Sequence, residues 1–262
     1  MAATQSLTKS RIGLISPILQ LRLAIIALAA GSWQALSASG LLYADVVPGL
    51  GAIGQALLAT LGDAEFYTNL RVTALEIGVA LTIGTGLGLM VGLVLGRSRC
   101  LGGTFEPYLA YLGSTPKIIF FPVLILWFGV GSGSKIGMGA FSCFFPVALS
   151  VAAGMRDVDK VLIKVGRALR AKPLQMVTKI YLPALRAPIL TGMRLGLGVA
   201  TAGTLLAETK LSNQGLGFLV IQDYQQFDMP GMYSLLIIIF VLAIGLNLLI
   251  ARVAGPRVRR KR

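Results

Sequence analysis

The sequence contains no histidine, only two cysteines and few charged residues for its length. The absence of histidine excludes a histidine-based metal site or catalytic dyad. Cys100 and Cys143 are isolated in or beside apolar segments, so a disulfide framework is not expected. Charged residues make up 13% of the chain, against about 25% in typical soluble domains. No GxxxxGKS or GxxxxGKT loop is present to cradle a phosphate, so the chain does not hydrolyse ATP itself.

Hydrophobic residues make up 55% of the chain and fall in blocks of about 20 residues, the length that crosses a bilayer as a helix. We predict an all-α, polytopic bundle of about six transmembrane helices, in one domain at 21–253. The first block is interpreted as a retained helix, not a cleaved signal peptide. A tail at 1–20 and a basic tail at 254–262 flank the domain. The predicted spans are 21–42, 72–95, 108–128 (interrupted by Pro116 and Pro122), 136–153, 188–207 and 232–253.

The net charge of +14 is unevenly placed. Basic residues gather in both tails, after the second span and in the loop at 155–187. This pattern predicts a bacterial plasma-membrane protein with both termini in the cytoplasm and lipid contacts along its spans. Nucleic-acid binding is not expected, because the basic segments lack aromatic residues that stack on bases. The opposite loops are predicted to carry Asp45, Asp63, Glu65, Glu208, Asp223 and Asp228.

Glycines recur every four residues in the second span, at Gly84, Gly88, Gly92 and Gly96. They form a smooth strip on one helix face, where another backbone can approach closely. The strip is interpreted either as a packing surface or as a sliding surface used in gating.

The loop between the fourth and fifth spans is basic and amphipathic. Residues 159–171 suit a short helix, which the proline at 173 ends. A second short helix is predicted over 174–181, ending at Pro183. Such a segment lies on anionic lipid or docks onto a protein partner.

This loop resembles the latter part of the EAA loop of binding-protein-dependent ABC importer permeases, through Ala168, Ala171, Ile180, Leu182 and Pro183. The continuation PILTGMRLGL at 188–197 is similar to the branch that serves sulfonates, taurine, nitrate and pyrimidine vitamin precursors. The resemblance covers about 66–253. Further matches are Thr73–Glu76, Pro122, 124–131, Ser134, Lys135, Ala207, Glu208 and Gly215–Gly217.

The resemblance implies a type I ABC importer permease fold and a transmembrane subunit that forms the path for a small solute. Its implied partners are two ATPase subunits, a second permease and an extracytoplasmic solute-binding protein. ATP and magnesium would bind the ATPases, and this chain would hold no cofactor. The implied ATPase-coupling residues are Val165, Ala168, Leu169, Arg170, Ala171, Ile180, Leu182 and Pro183.

The loop departs from the family pattern at two places. The signature normally has Glu-Ala-Ala and then a glycine ten residues before the isoleucine. Here Lys164, Val165 and Gly166 replace the first part, and Arg170 replaces the glycine. Three explanations stay open: an ATPase with matched charge, the weaker half of a heterodimer, or a less active copy.

Polar residues within or beside the spans are candidates for the pathway or for structural contacts. These are Glu76, Ser114, Thr115, Lys117 and Arg194. Glu76 is expected to face the bundle, because a charge at mid-bilayer costs about 2.5–3.5 kcal/mol or more. Lys117 either snorkels or pairs structurally. Arg194 is interpreted as a structural tether, and either cation is alternatively a contact for an anionic cargo.

Glu208, Gly215 and Gly217 lie in a region that, by resemblance, meets the binding protein; the alternative is an ordinary solvated loop. Two rival classes are a self-sufficient secondary transporter or channel and a membrane enzyme. The first calls for an internal repeat and several intramembrane carboxylates, yet Glu76 is the only good candidate. The second calls for a cluster of catalytic groups, which this sequence does not provide. The cargo and the pairing of permeases stay open.

Overall fold

Helices account for nearly all of the regular structure in this computed structural model, which describes residues 17–40 and 46–253. No strand occurs among those residues. A 3₁₀ turn at Lys117–Phe120 and a π-helical turn at Val177–Tyr181 supplement the α-helices. The α-helices are α1 (Pro17–Ala38), α2 (Leu50–Gly62), α3 (Ala64–Arg97), α4 (Arg99–Ser114), α5 (Phe121–Phe128), α6 (Ser132–Arg156), α7 (Lys160–Ala168), α8 (Pro173–Met176), α9 (Leu182–Ala184), α10 (Arg186–Lys210), α11 (Leu216–Gln225) and α12 (Met229–Val253).

Helices α1, α3, α6, α10 and α12 are long and apolar enough to cross a bilayer. The third predicted span is not one straight helix: α4 and the segment at 117–128 meet at 92°. Thr115 is extended at the break because the following proline disfavours helical geometry there. The Lys117 ammonium donates to the Gly113 carbonyl oxygen, so a backbone acceptor freed by the break is satisfied. The all-α prediction of about six spans is confirmed, and the third span is a broken or re-entrant one.

The helices extend beyond the apolar blocks that predicted them. Helix α3 begins at Ala64 rather than at 72, because the Asp63 side chain caps it by accepting from the Glu65 amide at 2.9 Å. Helices α2 and α11 were not predicted, since neither is long enough to span a membrane. The end predicted for the first span and most of both tails, including Asp45, lie outside the described residues.

Helix α6 is the centre of the bundle, and α3 packs along one side of it. A Cβ on Gly88 would lie 2.8 Å from Val147 Cβ, and one on Gly92 would lie 2.7 Å from Val151 Cβ. Both distances are shorter than carbon atoms tolerate, so only glycine permits this approach. The glycine strip of α3 is therefore a packing surface.

Helix α10 packs against the same central helix through its own glycines. A Cβ on Gly192 would lie 2.9 Å from the Val147 Cα, and one on Gly196 would lie 2.7 Å from Cys143 Sγ. Val147 and Cys143 are fully buried. Because Gly84 and Gly88 of α3 approach the same two side chains, α6 is clamped between α3 and α10.

Gly92→Ala should destabilise the purified chain by about 1–3 kcal/mol, the usual cost of overpacking. The added methyl would also lie 2.7 Å from the Ala148 carbonyl oxygen, a backbone atom that can move only if α6 moves. Gly86→Ala is the matched control, since nothing lies within 4 Å of its Cβ position. Thermal unfolding in detergent measures both; equal melting temperatures for the two variants would contradict the packing account.

Candidate functional site

One end of the bundle carries the basic loop, which we define as residues 157–185. Helix α7 begins there because the Asp159 side chain accepts from the Val161 amide at 2.8 Å. The helix lies on the segment that follows it: a Cβ on Gly166 would meet Ile180 Cδ1 at 2.5 Å and Met176 Sδ at 2.6 Å. Gly166 thus fixes how closely the two halves of the loop pack.

Helix α7 ends in a hydrogen-bonded turn that explains the residue preference at 170. The Ala171 amide donates to the Gly166 carbonyl at 3.0 Å, and the Arg170 amide to the Arg167 carbonyl at 2.9 Å. This is the Schellman arrangement, whose penultimate residue is left-handed and usually glycine. Arg170 adopts it with φ of 51°. A left-handed residue with a side chain costs about 1–2 kcal/mol, so this arginine is held in a strained position.

The basic loop exposes apolar side chains among its charges. Leu169 is 77% exposed and Leu174 is 73% exposed, and Val161, Leu162 and Val165 are also exposed. A groove of about 360 Å³ lies between α7 and the second half of the loop. A cluster of exposed apolar residues outside the spans indicates an interaction surface.

The second half of the basic loop anchors this surface to the bundle. Tyr181 and Leu185 are buried in the core that includes Val151 and Met155 of α6. The π-helical turn just before Pro183 follows from the proline, which has no amide proton and crowds the carbonyl four residues earlier. The loop is thus fixed to α6 on one side and continues into α10 on the other.

The opposite end of the bundle holds a buried carboxylate, Glu208 of α10. Its Oε1 accepts from the Thr73 hydroxyl at 2.7 Å, and its Oε2 accepts from the Gly217 amide at 2.6 Å. The Thr73 oxygen also accepts from the Leu216 amide at 2.8 Å, and the Asn69 side chain accepts from the Gly215 amide at 2.7 Å. We call this set of contacts the latch; it fixes the turn at 215–217 to α3 and α10.

The glycines of the latch make room for the carboxylate. Gly215 has φ of +111°, a conformation that residues with side chains rarely adopt. A Cβ there would collide with the Glu208 carboxyl group, and a Cβ on Gly217 would lie 2.7 Å from Glu208 Cβ. Glycine is therefore required at positions 215 and 217 for the turn to enclose the Glu208 side chain.

Two further buried charges adjoin the latch. Glu76 of α3 and Lys135 of α6 are 3% and 1% exposed. Lys135 interacts electrostatically with both Glu76 and Glu208, and its ammonium donates to the Val130 carbonyl oxygen. Three ionisable groups from three helices thus meet at this end of the bundle.

An acidic patch lies at the same end, beyond the spans. Burial, together with the negative charges of Asp228 and Glu65, raises the pKa of Asp223 to about 6. The patch therefore becomes less negative as the pH falls through 6.

The comparisons with known proteins identify the family. Residues 84–260 match the sequence model described as the binding-protein-dependent transport system inner membrane component. The match covers the glycine strip of α3, all of α6 and α10, the basic loop and the latch turn.

The chain belongs to this family.

Curated relatives agree with the family. The chain is 34% identical over 208 residues to a Bacillus subtilis permease protein whose name assigns it to aliphatic sulfonates transport, covering 79% of this chain and 75% of the relative. It is 33% identical to the taurine transport system permease protein of Escherichia coli, over 71% of this chain and 70% of that one. The formylaminopyrimidine transport permease protein of Halalkalibacterium halodurans is 26% identical, covering 70% of this chain and 74% of that one. The predicted branch is thus confirmed.

The fold has a solved counterpart in a chain of the MetNI methionine ABC transporter, in an inward-facing conformation. The TM-score is 0.61 at 22% identity, covering 70% of this chain and 92% of that chain. This likeness confirms the predicted importer permease fold. The relatives are transport subunits rather than enzymes, as predicted.

The predicted coupling residues of this permease fall into two groups. Val165, Ala168, Leu169, Arg170 and Pro183 are exposed on the basic loop. Ala171, Ile180 and Leu182 are half-buried beneath them. Both groups belong to the basic loop, whose two halves pack against each other.

The prediction that Glu208 lies in the loop that follows the fifth span was wrong. Glu208 is fully buried within α10, and Gly215 and Gly217 are also buried. In this conformation the three residues form the buried side of the turn. Exposed neighbours such as Asn213 and Gln214 form its surface.

The other predicted site residues are spread over the permease. Ser114 and Thr115 both donate to the Tyr111 carbonyl oxygen at the break after α4. Lys117 bonds the backbone of the same break and lies 5.5 Å from the Phe145 ring centre. Arg194 does not tether its span to the basic loop: its Nε lies 3.4 Å from Asn247 Oδ1 of α12.

Three residues of the latch and its neighbours were not predicted as site residues: Asn69, Thr73 and Lys135. A signal for the first two was present in the sequence. Asn69, Thr73 and Glu76 are spaced four and three apart, which places three polar groups on one face of an apolar helix. Lys135 follows a glycine-rich turn at the start of an apolar block, and its burial depends on tertiary contacts alone.

Thr73→Val should loosen the latch at nearly constant side-chain volume. It leaves the Leu216 amide and one Glu208 oxygen without a partner, and a buried unsatisfied group costs about 1–3 kcal/mol. Hydrogen exchange of the amides at 215–217 should therefore quicken about tenfold. Thr68→Val is the control, because that exposed hydroxyl donates only within α3, to the Ala64 carbonyl. Unchanged exchange in Thr73→Val would show that the turn is held by other contacts.

Arg170→Gly should stabilise the end of α7 by about 1 kcal/mol, because glycine adopts the left-handed conformation without strain. Slower hydrogen exchange at the Arg170 and Ala171 amides, measured on the permease without partners, is the expected result. Lys172→Gly is the control, since Lys172 has φ of −63° and carries no such strain. Faster exchange in Arg170→Gly would contradict this explanation.

Proposed function

We propose that this permease imports a small solute of the sulfonate, taurine or pyrimidine type, delivered by an extracytoplasmic binding protein. The chain is the transmembrane subunit of an ABC importer, and such permeases work with ATPase and binding-protein partners. The single observation that carries the rest of the proposal is the exposed apolar face of the basic loop. Leu169 and Leu174 stay exposed although the loop itself is well anchored.

The partner on this face is an ATPase subunit, with ATP and magnesium bound on the ATPase and not on this chain. The loop presents Lys160, Lys164, Arg167 and Arg170 around the apolar residues, and all four are exposed. An ATPase groove that accepts this loop needs apolar pockets with an acidic rim, because like charges at an interface are costly. The altered loop signature is thus explained by an ATPase of matched charge.

The orientation follows from the same charges. With the basic loop in the cytoplasm, both termini are cytoplasmic and the latch lies on the outer side. The acidic patch and the exposed residues at 211–214 then face the binding protein. The complex holds two ATPases and two permeases, and residues 21–253 form the membrane domain of each permease.

The mechanism is alternating access driven by closure of the ATPases. Closure moves the basic loop, which is continuous with α10 and packed on α6. Since α10 carries Glu208, the motion is transmitted to the latch end and changes access from the outer side. ATP can drive this change only if the ATPase contacts differ between the two states.

Leu169→Asp combined with Arg170→Asp should abolish recovery of the ATPase when the tagged permease is purified from its native cells in mild detergent. A central apolar contact contributes about 2 kcal/mol or more, so recovery should fall more than about tenfold. Leu211→Asp is the control for insertion and folding, because Leu211 is 47% exposed at the opposite end.

Equal ATPase recovery from both variants would show that the ATPase docks elsewhere. A preparation free of ATPase that still transports solute in liposomes would contradict the importer mechanism and indicate a secondary transporter. A second permease in the purified complex would show that the pair is a heterodimer.

A further inference from the structure

Helix α4 packs on α6 with one face and leaves the opposite face exposed. On the packed side, Glu106 pairs with Arg156, and a Cβ on Gly113 would lie 3.2 Å from Phe145 Cβ. The members of the opposite face all carry a hydroxyl group, and we call them the hydroxyl face: Thr104, Tyr108, Tyr111 and Thr115. At about 100° per residue, they lie about 140–200° around the helix from Glu106.

Most hydroxyl groups of this face lack a partner. Tyr108 is 64% exposed and Tyr111 is 72% exposed. Within the described part of the chain, the hydroxyl groups of Thr104, Tyr108 and Tyr111 make no hydrogen bond. Thr115 donates to the Tyr111 carbonyl oxygen, and its own oxygen is still able to accept.

The hydroxyl face extends from one membrane surface to mid-membrane. Its outer end is close to Gly113, which meets Phe145 near the midpoint of α6. Toward its other end, Glu106 pairs with the last residue of α6, where the basic loop follows. The rise from 104 to 115 is about 16 Å, or about half of the hydrocarbon core. Tyr111 is therefore too deep to be a tyrosine of the membrane interface.

Lipid is an unfavourable neighbour for this face. A hydroxyl group in hydrocarbon is costly without a hydrogen-bond partner, and the face carries three such groups. The helix also breaks at the end of the face, where Thr115 is extended. A broken backbone at membrane depth is tolerated only where it is buried in protein or lines a water-filled cavity. The hydroxyl face is thus turned toward water or toward protein.

The side chains favour water over a second helix. Close helix contacts in a bilayer use small residues, as the glycines of α3 and α10 do against α6. The hydroxyl face instead has the two phenol rings of Tyr108 and Tyr111 at its centre, which hold a neighbouring backbone away. Its inner end is open, since Cys100, one turn before Thr104, is exposed.

We propose that the hydroxyl face lines the inner half of the solute path, from the cytoplasmic side to the break after α4. The proposal rests on the importer function and adds which span and which chemical groups bound the path. The face carries no charged side chain, and its hydroxyl groups both donate and accept hydrogen bonds. A sulfonate oxygen or a pyrimidine nitrogen therefore finds a partner there without being held by a fixed charge.

Labelling of single cysteines tests whether water reaches this face. Tyr111→Cys reports on the face, and Leu112→Cys is the control, because Leu112 is 44% exposed at the same depth and about 100° away. Both are made with Cys100→Ser, since Cys143 is buried. The assembled importer in lipid nanodiscs is treated with 2-sulfonatoethyl methanethiosulfonate, a charged reagent. Tyr111→Cys should react at least about tenfold faster than Leu112→Cys, because the reactive thiolate forms in water and not in lipid.

The nucleotide state then tells the solute path from any other wet surface. Trapping with ATP should slow the labelling of Tyr111→Cys about tenfold, because the inner half of the path closes when the outer half opens. Thr104→Cys is a smaller change on the same face and should respond in the same way. It keeps the test valid if the loss of the Tyr111 ring impairs folding.

Three outcomes would overturn the proposal. Labelling of the face no faster than that of Leu112→Cys would mean that the face meets lipid. The same slow labelling together with a disulfide between two copies of Tyr111→Cys would mean that it packs on a second permease. Fast labelling that ATP leaves unchanged would mean a wet cleft outside the path. Absence of the ATPase from the complex would instead contradict the importer function, and the comparison of positions 111 and 112 would still test the lining.

Discussion

The close approach of three helix backbones is the constraint on which the rest of this permease depends. Helix α6 is clamped between α3 and α10 by glycines that leave no room for a Cβ. In a bilayer, where apolar side chains gain little by avoiding lipid, such close contact is a main source of helix association. The buried charges follow from it, because Glu76, Lys135 and Glu208 meet only if these helices keep their spacing and register.

The same three helices connect the two functional ends. Helix α10 has 25 residues and therefore spans about 37 Å, from just after the basic loop to the Glu208 carboxylate. Helix α3 carries Thr73 near one end and Arg97, which lines a groove beside the basic loop, at the other. Packed interiors transmit displacement rather than absorb it. The packed helices α3, α6 and α10 thus connect the ATPase face mechanically to the latch. The turn at Arg170 lies at one end of this connection, and the latch turn lies at the other.

The sequence predicted the number of spans, the basic loop and the family, because apolar block length, charge asymmetry and the Ile-Tyr-Leu-Pro string are local signals. It also located the glycine strip, but the packing role of the strip became clear only when the structure showed that α6 contacts it. Pro116 predicted an interruption of the third span, but the 92° angle of the bend and the burial of Glu208 were not predictable from local pattern, since each depends on which groups meet in space. Glu208 looks like a loop acid when read along the chain, yet Thr73 and Gly217 enclose it. Arg170 was recognised as a departure from the family, and only its φ of 51° shows why glycine is usual there.

The most direct test of this account is the distance between the two ends of one chain through the ATP cycle. Spin labels at Lys164 and Asn213, both exposed, report it by pulsed electron resonance in the assembled importer. The account predicts one unchanged distance in the nucleotide-free and ATP-trapped states, while a label pair between the two permeases changes in the same samples. A shift of the distance within the chain would mean that α3, α6 and α10 slide past one another, and it would contradict the clamp.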